Sequence, residues 1–105
     1  MAIVARWTDY QGRAVELTDD GWAHILDGHA EMVDRLAEIK STVESPTLVV
    51  RDPDIRRIEH HYGVPKGRLR VQVVVVYRPR PEGWVGAILT AHPTRRLEQG
   101  EHLWP

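Results

Sequence analysis

The chain has 105 residues, no cysteine and a formal net charge of −1. That length accommodates one domain, residues 1–105, around one core. The missing cysteine excludes disulfides and thiolate chemistry. A net charge so near zero argues against strong non-specific nucleic-acid binding. Residues 1–50, however, hold four Lys/Arg against nine Asp/Glu, and residues 51–105 ten against six. The second half alone can therefore face a polyanion. On composition alone, its arginines read first as solvated strand-edge charges. No apolar run is long enough to span a bilayer and no signal-peptide pattern opens the chain, so a cytoplasmic protein without membrane association is expected.

Ile3 to Trp7 and Ala14 to Leu17 flank Tyr10-Gln11-Gly12-Arg13 and predict a short N-terminal hairpin. Thr18 is a good helix N-cap, and Asp19 and Asp20 suit the positive end of the helix dipole. The helix should run to about Gly28. Trp22, Ile25, Leu26 and His29 form one face of it, while His24 lies opposite, near Asp20 and Asp27. A second helix is expected over Glu31 to Glu44, with Met32, Leu36, Ile39 and Val43 as its apolar stripe and Ser45-Pro46 as its stop.

Strands follow at Thr47 to Arg51, Ile55 to Tyr62, Arg68 to Tyr77 and Trp84 to His92. The third, RLRVQVVVVY, is apolar on both alternating faces and reads as central. Placing Tyr77 opposite Val85 puts Val75, Val73 and Val71 opposite Ala87, Leu89 and Ala91, a continuous apolar face for the helices. The same register puts Arg70 opposite His92, Gln72 opposite Thr90 and Val74 opposite Ile88. If Ile58 and Tyr62 join the helix-covered face, then Arg57, Glu59 and His61 fall beside Arg70, Thr90 and His92. Leu103 and Trp104 should pin the end of the chain. The expected fold is α+β, with two N-terminal helices packed on a four-stranded antiparallel sheet.

The open face so derived offers Arg57, Glu59, His61, Arg70, Gln72, Thr90 and His92. Cleaving RNA without a metal needs a base for the 2′-hydroxyl, an acid for the leaving oxygen, and donors for the charge on phosphorus. Histidine or glutamate supplies the first two, and arginine fits phosphate bidentately. Many antiparallel sheets nonetheless carry a solvated His- and Arg-bearing face. A metal site is not expected: His60 and His61 point to opposite sides of a strand, and His24 and His29 lack the helical i, i+4 spacing. No cofactor motif is present.

Gly21-Trp22-Ala23-His24-Ile25 followed by His29-Ala30-Glu31 resembles the G-W-x-H-I-x-x-x-H-P-E pattern of small phage and bacterial domains of the barnase–EndoU–colicin–RelE (BECR) superfamily. Val73-Val74-Val75-Val76 is similar to that group's central strand, and Leu89-Thr90-Ala91-His92-Pro93-Thr94-Arg95-Arg96, leading to Gly100-Glu101 and Trp104, resembles its last. The resemblance spans residues 18–104. Ala30 departs from the usual proline and His92 from the usual aromatic. The resemblance implies a metal-independent, toxin- or effector-like endoribonuclease acting by 2′-hydroxyl transesterification. His24 or His29, Arg70 and Thr90 would carry its family roles, with His61 as a further catalytic candidate. Arg57, Gln72, His92, Arg95 and Arg96 are the substrate-binding candidates. His24 points away from the apolar stripe, so either the first helix lies along the sheet edge or His29 is the relevant histidine. The implied partners are RNA, tRNA included, and an inhibitor or antitoxin protein presenting carboxylates to the basic side chains. The rival readings are a non-catalytic RNA- or protein-binding module with the same fold and a purely structural component.

Overall fold

The computed structural model describes every residue from Met1 to Pro105. The valine-rich stretch forms the centre of the sheet as β5 (Arg70–Arg80), paired antiparallel with β6 (Gly83–Thr94) and β4 (Ile58–Tyr62). Outside these lie β3 (Leu48–Arg51), β1 (Ile3–Thr8), β2 (Ala14–Thr18) and β7 (His102–Trp104). The order across the sheet is β1-β2-β6-β5-β4-β3-β7. The expected four-stranded antiparallel sheet is thus a seven-stranded mixed one, within an α+β architecture. The N-terminal hairpin forms, and β2 docks parallel to β6 at Val85–Ala87. At the other edge, the polar chain end pairs with β3. Backbone pairing needs no apolar side chains, which is why a stretch too polar for the core still becomes a strand. The sheet is strongly rolled: Tyr10, in the turn between β1 and β2, packs its ring 5.7 Å from that of Trp104 on the opposite edge strand.

α1 (Asp19–Gly28) begins as its sequence predicts, with the Thr18 hydroxyl accepting the Gly21 N–H at 3.1 Å. β2 pairs with β6 only over Val85–Ala87, which leaves the rest of that edge of β6 free. α1 packs beside it closely enough that a Cβ on Gly21 would stand 3.3 Å from the Ile88 carbonyl oxygen. The single second helix is instead a 3-10 turn (Ala30–Asp34) followed by α2 (Leu36–Glu44). Met32, Ile39 and Val43 keep their inward face across the break, and pack with Ile25, Val15, Leu17 and the Val71/Val73/Val75 row. No helix is long and apolar enough to cross a membrane.

Two face assignments are corrected. The β5–β6 register carries a bulge between Val74 and Val75, so Val73 faces Ala91 and Gln72 faces His92, but Val75 faces Ile88 and Tyr77 faces Gly86. One extra residue in β6 exchanges the two sides. Leu89, expected in the core, is 41 % exposed, and Ile88, expected outside, is 5 % exposed. Gly86 fits between Val75 and Tyr77, where a Cβ would come within 2.7 Å of a Val75 methyl. In β4, His61 pairs with Val73 and Glu59 with Val75, so Glu59 and His61 lie on the helix-side face. Ile58, His60 and Tyr62 share the second face with Gln72 and Val74. Tyr62 is nevertheless fully buried there, because the chain after β6 folds back over it and Glu98 N–H donates to its hydroxyl at 2.7 Å.

Candidate functional site

The residues with chemistry divide between the two faces. On the helix-side face the turn between β1 and β2 closes over β4 and the end of β5. Gly12, at φ +84°, completes that turn. Asp9 orders it: Oδ1 accepts Gln11 N–H (2.8 Å) and Arg13 N–H (2.9 Å), and Oδ2 accepts Arg13 Nε–H (2.8 Å) and the Tyr77 hydroxyl (2.6 Å). Arg13 also donates to both oxygens of Glu59, at 3.0 and 2.9 Å, and lies 3.8 Å over the Tyr77 ring. The Tyr10 hydroxyl donates to Glu59 at 3.2 Å, and His61 Nε2 stands 3.2 Å from the same carboxylate.

Burial opposes charge on Glu59, but hydrogen bonds from His61 and Arg13, with the Arg13 charge, outweigh it and hold the carboxyl down at about 2. Burial and the bond to Asp9 push the Tyr77 hydroxyl far up, and burial with the Glu59 charge does the same to Tyr10. His61 is fully buried, with Nδ1 unpartnered. A hydrogen on Nδ1 would lack an acceptor, whereas one on Nε2 meets the Glu59 carboxylate. Apart from His61 Nδ1, the network is an internally bonded polar core with no solvent-facing proton carrier. At its outer end a cleft of about 380 Å³ is lined by Arg51, Arg56, Arg57 and Trp84, with Arg13, Glu59 and Tyr77 as its floor.

The second face carries a groove of about 400 Å³ between β4–β6 and the returning chain, lined by His60, Gln72, His92, Thr94 and Arg96 among others. His60 is already committed. Its Nε2 is 2.7 Å from Asp52 Oδ1, which can only accept, so Nε2 carries the hydrogen and Nδ1 accepts from the Gln72 amide at 2.8 Å. Burial opposes charge on Asp52, but bonds from His60 and from the Ile55 and Asp54 N–H groups prevail and lower its pKa. His60 therefore orients Gln72. His92 is different. Its Nδ1 donates to the Pro93 carbonyl at 3.2 Å, which leaves Nε2 as the free acceptor. Its ring stacks on His29, centroids 4.9 Å apart and planes 24° apart. His29 sits at the C-cap of α1, with Nδ1 3.3 Å from Glu31. Because α1 follows the free edge of β6, its C-cap residue His29 reaches round to His92.

Of the sequence-derived candidates, His29, Gln72, Thr90, His92 and Arg96 gather on or beside this groove, Thr90 through its pairing with Val74. Arg70 shares the face by register, opposite Thr94, but turns its guanidinium to the Thr47 hydroxyl at 3.4 Å. Arg95 is exposed on the following loop. His24 is exposed on α1, outside the groove. Arg57 and His61 belong to the other face, because the β4 register is the reverse of the one expected. Asp9, Arg13, Asp52, His60 and Tyr77 were not singled out. The Asp9–Gly12 spacing is an Asx-turn signal that could have marked Asp9. The long-range partners of Arg13 leave no local trace.

No group of three or more His, Asp and Glu side chains is placed to hold a metal ion. Comparison with family models, with curated proteins and with solved structures returned no match.

Proposed function

We propose that this protein is an endoribonuclease acting by 2′-hydroxyl transesterification, with its site in the groove beside His92. The reading rests on one observation: the His29–His92 stack at the rim of an accessible groove that Arg96 also lines. Imidazole is the side chain suited to both proton acceptance and donation near neutral pH. In this scheme His92 Nε2 takes the 2′-hydroxyl proton of a bound ribose. The 2′-oxygen then attacks the adjacent phosphorus, the bond from phosphorus to the 5′-oxygen breaks, and His29 supplies the proton to that leaving oxygen. The products are a 2′,3′-cyclic phosphate and a 5′-hydroxyl end. Arg96 and the Gln72 amide stabilise the charge building on the phosphoryl oxygens, and Thr90 orients the substrate. An inhibitor protein would present carboxylates to Arg95 and Arg96.

The test is incubation of the purified protein with total RNA and with tRNA in EDTA. Cleavage to cyclic-phosphate ends that falls by about 100-fold or more in His92→Ala supports the reading. Intact RNA with retained binding replaces it with a non-catalytic module, and cleavage undiminished in both His92→Ala and His29→Ala places the chemistry elsewhere.

A further inference from the structure

The arginine-lined cleft on the helix-side face is used by nothing described so far. Two of its four guanidinium groups are committed: Arg13 to Asp9 and Glu59, and Arg51 to Glu101 at 3.1 Å and the Arg56 carbonyl at 2.9 Å. Arg56 and Arg57 have no carboxylate partner and remain exposed. The Arg57 guanidinium carbon lies 5.8 Å from the centre of the Trp84 ring, which is 48 % exposed and forms one wall. Behind them the Glu59 oxygens are taken up by Arg13, Tyr10 and His61. The volume of about 380 Å³ falls within the roughly 300–1,000 Å³ typical of small-ligand sites.

We propose that this cleft binds a phosphorylated nucleoside, its phosphate held by Arg56 and Arg57 and its base laid against Trp84. Planar guanidinium groups without an internal partner match phosphate oxygens bidentately. An exposed indole accepts any flat base, with little discrimination between bases. The one carboxylate in the lining, Glu59, is paired with Arg13, and every other charged side chain there is an arginine, so a cation is disfavoured, and a purely apolar ligand would leave the guanidinium groups unpaired. The cleft contains no effective general base: Glu59, held down at about 2, is too weakly basic and its oxygens are bonded to Arg13 and Tyr10, and the Tyr77 proton is held by Asp9. It binds rather than turns over. The proposal is separate from the nuclease reading, since the cleft lies on the other face of the sheet and its test reads binding.

Calorimetric titration with inorganic phosphate, AMP, GMP and single-stranded oligonucleotides with and without a 5′-phosphate tests it. The mononucleotides should bind about tenfold or more tightly than inorganic phosphate, because only they reach Trp84. Arg56→Gln with Arg57→Gln should weaken AMP binding about tenfold or more. Trp84→Ala should bring AMP down to the affinity of inorganic phosphate. All three side chains are exposed, and circular dichroism checks the fold of each variant. A preference for the 5′-phosphorylated oligonucleotide over the mononucleotide assigns the cleft to an RNA end, and the reverse assigns it to a free nucleotide. The proposal is overturned if no nucleotide binds the wild-type protein. It is also overturned if binding survives the arginine and Trp84 substitutions and is lost in His92→Ala, which would place the ligand in the groove.

Discussion

On the helix-side face, Asp9, Arg13, Glu59 and Tyr77 bond one another under cover, and the single histidine among them, His61, is fully buried beside Glu59. On the second face, His29 and His92 stack at the rim of an accessible groove, and His92 keeps one ring nitrogen unbonded. The same residue types thus do opposite work on one sheet. A polar group whose partners all come from the protein contributes to stability and loses its freedom to exchange protons. A polar group with one nitrogen open to a groove contributes little to the fold and stays available for chemistry. His60 lies between these cases: it shares the groove, but Asp52 and Gln72 occupy both its nitrogens.

The largest expected effect tests that division directly. His92→Ala should lower RNA cleavage by about 100-fold or more while moving stability by less than about 1 kcal/mol. Glu59→Gln should do the reverse, costing about 2–3 kcal/mol in urea unfolding, because it strands Arg13 beside Asp9 alone. A Glu59→Gln protein that unfolds at the wild-type urea midpoint would break the comparison.

Acid sharpens it. The Glu59 carboxyl ionises at about 2 in the folded chain against an ordinary value of 4.5. A depressed folded pKa adds stability that is fully present above the unfolded value and is lost as the pH falls through the folded one. Unfolding free energy should therefore drop by on the order of 2–3 kcal/mol between about pH 5 and pH 2, and Glu59→Gln should flatten much of that slope. An unchanged slope would assign the acid sensitivity to other carboxylates.

The smallest effect concerns the bulge that turns Ile88 into the core and Leu89 outward. Ile88→Val should cost about 1 kcal/mol, and Leu89→Val less than about 0.5 kcal/mol, since only the first packs against the core. Thermal unfolding of the pair distinguishes them, and equal losses would argue against the register.

Local patterns marked several features correctly. The Thr18 cap, the Ile25 face of the first helix, the central valine strand and the N-terminal hairpin all stand where their sequences place them. Each depends on neighbours within a few residues, so each leaves a local signature. The same holds for grouping Gln72, Thr90 and His92 on one face, since the bulge lies beyond them at Val74/Val75. The parity of Ile58 and Tyr62 does not separate buried from open positions in β4, where Glu59 and His61 are buried under the helix-side cover and Tyr62 under the returning C-terminal segment.

What the sequence by itself determined is therefore the set of local elements and the alternation along each strand. Capping, periodicity and β-branching act over one or two turns of chain. The tertiary structure decided which side of each strand met which cover, how seven strands were ordered, and where His61, Arg57 and Arg13 came to lie. A single extra residue in β6 exchanges its faces, and partners for a buried charge can come from anywhere in the chain: Arg13 reaches Glu59 from the opposite side of a rolled sheet. Alternation specifies two faces without naming them, and only packing of the distant parts of the chain assigns one to the core and the other to the groove.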